Sequence, residues 1–305
     1  MSSPGSSKSD SEGIVFNESI NYLLELYKQG GPNFEDYLKL TETCQTLNRL
    51  DLNLNQEMDI YNFVKPILNV QNMIGYTFLK PKGYAGDFEQ IHRIYEQWRC
   101  TKSDVYHKWD KFYHSLSGCR AVRNRKCYIQ GVLRELESKP SPIMLNLGSG
   151  PCTDIKEYLD KCPNSNILFH CLDMDSNAID FAKNECKAHL DKIVFINKNV
   201  FRYNTDTRYD LVWSAGMFDY FKDKLFTRLI RNYSGLLKKK SELVVGNFSN
   251  INDSRGCMEI ITQWYLYHRS EKHLTSLAVL GGIKDTDITV KHEDTGVNLF
   301  MHIQA

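Results

Sequence analysis

The feature that most constrains this chain is Leu145-Asn146-Leu147-Gly148-Ser149-Gly150-Pro151, an apolar strand running straight into a glycine turn. Gly148 permits the tight turn, and Gly150 lets the backbone approach a ligand with no Cβ in between. About 23 residues past Gly150 comes Asp173, at the end of a second apolar run, Ile167–Leu172. A carboxylate there can accept hydrogen bonds from both ribose hydroxyls of a nucleoside. Strand, glycine turn and acid in this order predict a nucleoside-binding βαβ unit.

The surrounding pattern extends that unit into a sheet. Ile143–Leu147, Ile167–Leu172, Lys192–Ile196, Tyr209–Trp213 and Glu242–Val245 are short apolar runs with helical patterns between them. Such alternation implies parallel strands buried on both faces. The tail differs: Ile288 and Val290, then Val297, Leu299, Met301 and Ile303, alternate around a polar turn at His292–Gly296. That pattern predicts an antiparallel hairpin closing the sheet edge. The expected fold class is α/β, with a Rossmann-like, mostly parallel sheet and C-terminal hairpin over residues 139–305.

The N-terminal part reads otherwise. Residues 1–13 are rich in Ser, Gly and Asp and are expected to be disordered. Residues 14–138 carry helical periodicity with no strand signal, which predicts a helical cap. Its markers are Ile20, Leu23, Leu24 and Tyr27, then Phe34, Tyr37 and Leu38 on one helix face. Ile60, Phe63, Val64 and Ile67 mark a third helix, which Pro66 should kink or split. Phe88, Ile91, Tyr95 and Trp98 mark a fourth, and Val122–Leu136 a fifth.

Composition narrows the function classes. The 305 residues hold 38 Lys and Arg against 37 Asp and Glu, so no global field draws in nucleic acid or an acidic membrane. The basic run Lys238-Lys239-Lys240 reads as a solvated helix end. No run of about 18 apolar residues exists to span a membrane. The N-terminus lacks the apolar core of a secretory signal. Nine cysteines, an odd number with no C-x-x-C pair, point to reduced thiols in a cytoplasm and to no metal site.

The glycine turn also discriminates between cofactors. A dinucleotide fingerprint wants a third glycine where Thr153 stands, and no P-loop G-K-[ST] follows. The stretch resembles motif I of class I S-adenosylmethionine-dependent methyltransferases, [DE]-x-G-x-G-x-G. It departs twice: Asn146 stands in the acid's place and Cys152 in that of the last glycine. The resemblance implies S-adenosylmethionine as cofactor, with Asn146, Gly148, Ser149 and Gly150 along its methionine part. It puts Asp173 and Met174 at the ribose side, and Asn199 and Val200 at the end of the third strand. There Asn199 either bonds the adenine edge or serves the turn. Ser214-Ala215-Gly216 ends the fourth strand, beneath the sulfonium.

On the acceptor side, the N-P-P-[YF] tetrad of many amine methyltransferases is absent. Lys80-Pro-Lys-Gly-Tyr84-Ala-Gly-Asp87-Phe-Glu is distinctive. Asp87 is either a helix N-cap, with Gln90 completing a capping box, or it closes with Tyr84 over the cleft. Together G-Y-A-G-D, the Arg123-Asn-Arg125 helix, N-L-G-S-G-P, S-A-G-x-F-D-Y and T-G-V-N-L-F resemble a bacterial-type family that makes 3-hydroxy fatty acid methyl esters. The likeness covers residues 60–305. It implies carboxyl O-methyl transfer to a small or lipid-like acid, with Tyr84, Asp87 and Arg125 as catalytic candidates and Met217, Tyr220 and Asn247 on the acceptor side.

Arg125 can also be judged from its own helix. Val122, Tyr128, Ile129, Val132 and Leu133 share one face with Arg125 in its middle, while Arg123 points away. A cation on an apolar stripe needs a partner. That partner is an internal carboxylate, water reached by snorkelling, or the carboxylate of a bound ligand. Three rivals stay open: an amine or hydroxyl acceptor, a non-catalytic binding module suggested by Asn146 and Cys152, and a nicotinamide reductase. The last rests on Tyr220-x-x-x-Lys224, which lies only about 70 residues past the glycine turn and fits chance better.

Overall fold

The computed structural model describes residues 6–305, and the chain divides into two compact units. The first holds residues up to Cys119 together with Asp253–Tyr265; the second holds Arg120–Asn252 and Leu266–Ala305.

The first unit is helical: α1 (Ser6–Lys28), α2 (Tyr37–Arg49), α3 (Leu54–Val64), α4 (Met73–Leu79), α5 (Phe88–Tyr95) and α6 (Asp104–Ser115). Helix α1 starts inside the tail expected to lack structure; Met1–Gly5 lie outside the described residues. Once Phe16, Leu23 and Leu26 anchor the helix, each further residue fixed adds one hydrogen bond, so it propagates outward cheaply. Helix α2 corrects the expected apolar face. Phe34 and Leu38 are 83% and 71% exposed, and Leu40, Cys44 and Leu47 are buried instead. The reason is a 3-10 turn at Phe34–Asp36, boxed by Asn33 and Asp36, which resets the phase before α2 begins. Pro66 splits α3 as expected: the α-helix stops at Val64 and Lys65–Ile67 form a 3-10 turn.

At the centre of this unit sits Trp109, fully buried, with Phe63 and Phe112 edge-on at 6.0 and 6.3 Å. The segment Asp253–Tyr265 returns to it from the far end of the sequence through a π turn, Cys257–Ile261. Gly256 makes the approach possible, because a Cβ there would lie 2.5 Å from the Gln45 nitrogen on α2. The Gly118 N–H donates to Ser254 Oγ at 2.9 Å.

The second unit is a three-layer α/β fold. It comprises α7 (Ser117–Leu136, from Arg120 on), β1 (Ile143–Leu147), α8 (Thr153–Lys161), β2 (Leu168–Asp173), α9 (Ser176–Glu185) and β3 (Ile193–Asn197). It continues with β4 (Tyr209–Ser214), α10 (Asp223–Ser234), β5 (Leu237–Phe248), α11 (Glu271–Leu280), β6 (Ile288–His292) and β7 (Asn298–Gln304). The sheet order is β3-β2-β1-β4-β5-β7-β6, parallel from β3 through β5, with β7 antiparallel to both neighbours. By packing, α7 goes with this sheet from Arg120 on.

Strand alternation assigns the two cores. Met144, Trp213, Val244 and Phe300 face Ile129 and Leu133 of α7. Leu145, Leu147 and Val212 face the opposite way, toward Phe226 of α10 and Leu274 of α11. Lys238–Lys240 correct the expected helix end, since they lie in β5. The register shifts between Tyr209 and Leu211, Lys240 takes φ +59°, and its N–H bonds Ala305 O at 2.8 Å. A bulge lets the strand continue while Lys239 and Lys240 face water and Lys238 pairs with Asp210. Among the described residues no helix is long and apolar enough to cross a membrane.

Candidate functional site

The glycine turn crosses the carboxyl ends of β1 and β2, where open α/β sheets bind ligands. Leu172 O accepts the N–H groups of Gly148 and Ser149 at 2.9 and 3.1 Å, which docks the turn onto β2. Gly148 and Gly150 have φ of +62° and +53°, a region that favours glycine. A Cβ on Gly150 would meet nothing within 4 Å, so the chain passes there with an open side. Cys152 takes the same left-handed conformation, φ +52°, and is buried. The last glycine of the motif thus has a backbone reason, and this chain tolerates its absence at a strain of roughly 1–3 kcal/mol.

Asp173 closes the turn from the other side. Its Oδ2 accepts the Gly150 N–H at 2.9 Å and its Oδ1 the Asp175 N–H at 3.0 Å. Burial pushes this carboxyl up more than those N–H groups pull it down. Each oxygen keeps a second lone pair for a ligand hydroxyl. Met174 is 69% exposed beside it, and the Asn199 amide nitrogen lies 3.9 Å from its sulfur. Asn199 Oδ1 accepts the Phe201 N–H at 2.8 Å, so its oxygen serves the turn while its NH2 points to the Met174 side. Val200 is half-buried, and its carbonyl accepts the Tyr233 hydroxyl at 2.8 Å.

Two buried atoms at the turn have no partner among the described residues: Asn146 Oδ1 on β1 and Ser149 Oγ. Leaving a buried polar atom unmade costs roughly 1–3 kcal/mol. A ligand bringing donors to this corner would satisfy both. The residues therefore fit a nucleoside that carries an amino-acid arm.

The acceptor-side expectations divide. Met217 is half-buried over the turn; a Cβ on Gly148 would lie 3.0 Å from Met217 Cβ. Tyr220 is partly exposed on the same short helix, Met217–Tyr220. Ser214 and Asn247 are turned inward. Ser214 is fully buried and its hydroxyl donates to Leu147 O at 3.1 Å, tying β4 to β1. Asn247 is fully buried too: its NH2 donates to Phe248 O and Tyr267 O, both at 2.9 Å, and its oxygen accepts from Arg269 Nη1 at 2.7 Å. Both residues hold the frame, because strand alternation turns them into the core.

Arg125 is buried on the α7 face of the sheet, against the end of β4. A Cβ on Gly216 would lie 2.5 Å from its Nη1. Two buried carboxyls feel its charge, Asp154 at the start of α8 and Asp219 beyond β4. Burial raises both against the pull of Arg125, and Asp219 stands at about 7. Sequence reasoning missed Asp154, Asp219 and Arg269, since helix periodicity says nothing about partners so distant in the chain.

Tyr84 and Asp87 belong to the helical unit. Asp87 caps α5, with Oδ1 accepting the Glu89 and Gln90 N–H groups at 2.9 and 2.8 Å and the Tyr76 hydroxyl at 3.2 Å. Gln90 reaches back past the cap, to the Gly86 N–H at 2.9 Å. Tyr84 is exposed on the preceding turn.

A family model described as a methyltransferase domain matches residues 144–240, from β1 into β5. A possible exported protein from Bordetella parapertussis has a similar fold, at 16% identity and TM-score 0.65 over all of both chains. The S-adenosylmethionine-dependent methyltransferase SibL, solved in its apo form, is similar at 12% identity and TM-score 0.50. That match covers 89% of this chain and 76% of SibL. No curated protein matches the chain.

Proposed function

We propose that this chain is a class I methyltransferase that methylates a carboxylate of a small or lipid-like acid. The cofactor is S-adenosylmethionine. One observation carries the cofactor reading: Asn146 Oδ1 and Ser149 Oγ are buried without partners at an open glycine turn that Asp173 closes. Asp173 accepts the ribose hydroxyls, and Asn199 with Met174 borders the adenine. Asn146 and Ser149 accept from the methionine end. When bound, S-adenosylmethionine supplies a methyl group that its sulfonium activates for displacement.

A carboxylate acceptor is ionised near neutral pH, so the chain need supply no general base. It needs desolvation and a cation to hold it in line. Arg125, buried at the end of β4, is that cation. A unit charge pair at 4 Å is worth about 4 kcal/mol at an effective dielectric of 20. Met217 and Tyr220 border the same strand end. Nine cysteines with no disulfide among the described residues favour a cytoplasmic setting.

Calorimetry with S-adenosylhomocysteine, and NADPH as control, tests the cofactor; binding of NADPH alone would remove the reading. Incubation with methyl-labelled cofactor and panels of acids, amines and phenols tests the acceptor. Base-labile methyl esters are expected, and base-stable methylamines alone would overturn the carboxylate. The neutral Asn146 favours a second reading, a non-catalytic binding module. S-adenosylhomocysteine binding with no labelled product from any panel is its signature.

A further inference from the structure

Gly216 has φ −167°, outside the left-handed region that favours glycine. What it lacks is a side chain, and the space is taken. A Cβ there would lie 2.5 Å from Arg125 Nη1, 3.6 Å from its Cζ and 3.3 Å from Asp219 Oδ2. The guanidinium and the carboxyl therefore converge on one point in the notch that the missing side chain leaves.

Asp219 is fixed from behind. Its Oδ1 accepts the Phe248 N–H of β5 at 2.6 Å, and its carbonyl accepts the Tyr267 N–H at 2.8 Å. Only Oδ2 is turned toward the notch. The other cation that faces it, Arg269, is committed elsewhere: Nε and Nη2 donate to Asp223 of α10 at 3.1 and 3.0 Å, and Nη1 donates to Asn247. Arg125 also acts on the buried Asp154 of α8, while the neighbouring Lys126 pairs with Glu157.

We propose that Asp219 is a proton-linked latch on Arg125: ionised, it holds the guanidinium in the Gly216 notch, and it takes up a proton when a ligand carboxylate engages that guanidinium. The proposal rests on the reading that Arg125 grips the acceptor carboxylate. The charges set its direction. Burial lifts the Asp219 carboxyl to about 7 even though the Phe248 N–H and the charge of Arg125 both draw it down. A ligand anion at the guanidinium adds negative charge beside Asp219, so the carboxyl binds a proton more tightly. By linkage, affinity for the anion then falls as pH rises through about 7.

The test uses decanoate titrated into full-length protein saturated with S-adenosylhomocysteine, at about pH 7.5 in two buffers of different ionisation enthalpy. Wild type should take up roughly half to three quarters of a proton per decanoate and lose affinity by up to about tenfold per pH unit above neutrality. Asp219→Asn should show no uptake and a flat pH profile; uptake retained in that variant overturns the latch. Arg125→Met should lose decanoate binding. Binding kept there, or absent from wild type, removes the reading of Arg125 and the latch with it. A ligand-free arm separates the two: the 13C titration of the Asp219 carboxyl should move to higher pH in Gly216→Ala and Arg125→Met. An unmoved titration overturns the latch even where decanoate binding still depends on Arg125.

Discussion

The carboxylate of Asp173 accepts the N–H of Gly150 at 2.9 Å, so the acid at the end of β2 and the turn after β1 are one mechanical piece. Losing the carboxylate should therefore remove ribose contacts and loosen the turn together. Asp173→Ala is expected to weaken S-adenosylhomocysteine binding at least tenfold, about 1.4 kcal/mol, by calorimetry. Asp173→Asn should also weaken it, because its NH2 must face either Gly150 or Asp175, both of which present N–H donors. Unchanged affinity in a folded Ala variant would take the ribose assignment away.

Cys152 offers a test of the turn's backbone. Cys152→Gly relieves a left-handed strain of roughly 1–3 kcal/mol but loses a buried side chain and adds chain entropy of about 0.5–1 kcal/mol. Those effects oppose each other, so its stability should stay within about 1 kcal/mol of wild type. Cys152→Val puts a β-branched residue at φ +52°. It should unfold at lower denaturant and bind S-adenosylhomocysteine more weakly. A Val variant as stable as the Gly variant would mean that the turn adjusts freely.

The sheet and the glycine turn were legible because their signals are local. Apolar runs bounded by turns mark the five parallel strands, and strict alternation marks the hairpin. Other features depend on partners that no window contains. Asn247 reads as a polar residue at a strand end, yet its oxygen is taken by Arg269, 22 residues on. Asp219 is in the quoted S-A-G-x-F-D-Y motif, but its tie to Arg125 runs through the space above Gly216. The return of Asp253–Tyr265 to the helical unit turns on one close backbone approach, Gly256 to α2. The second helix went astray for a local reason: a 3-10 turn changes the period, and apolar spacing cannot register that.

Glu293 gives a pH-dependent prediction. Its carboxylate organises the β6–β7 turn, accepting N–H groups of Thr295, Val297 and Asn298, the Thr295 hydroxyl and the Asn124 amide. Burial pushes the carboxyl up, but these donors outweigh it and hold it below the usual glutamate value. A lowered carboxylate contributes stability above its unfolded value, lost as pH falls through the folded one. Glu293→Gln should therefore cost about 2 kcal/mol at neutral pH, with a gap in melting temperature that narrows below roughly pH 4.5. A gap that is constant with pH would mean that the charge is irrelevant.

Arg269 is the residue whose loss should be felt most broadly. It is 1% exposed, and its guanidinium joins Asp223, Asn247 Oδ1 and Phe221 O while stacking 4.5 Å above Phe226. Arg269→Met keeps most of the apolar stem but strands the buried Asn247 oxygen and the Phe221 carbonyl. Breaking such a buried network by removing one partner costs roughly 3–5 kcal/mol. Arg269→Lys should recover only part of that, because a single ammonium cannot serve Asp223 and Asn247 in the geometry of a planar fork. Asp223, about half exposed, can turn to water, so Asp223→Asn should cost far less than either Arg269 variant. Chemical denaturation of the three variants decides it. Equal losses for Asp223→Asn and Arg269→Met would place the energy in the surface ion pair instead of the buried amide and carbonyl contacts.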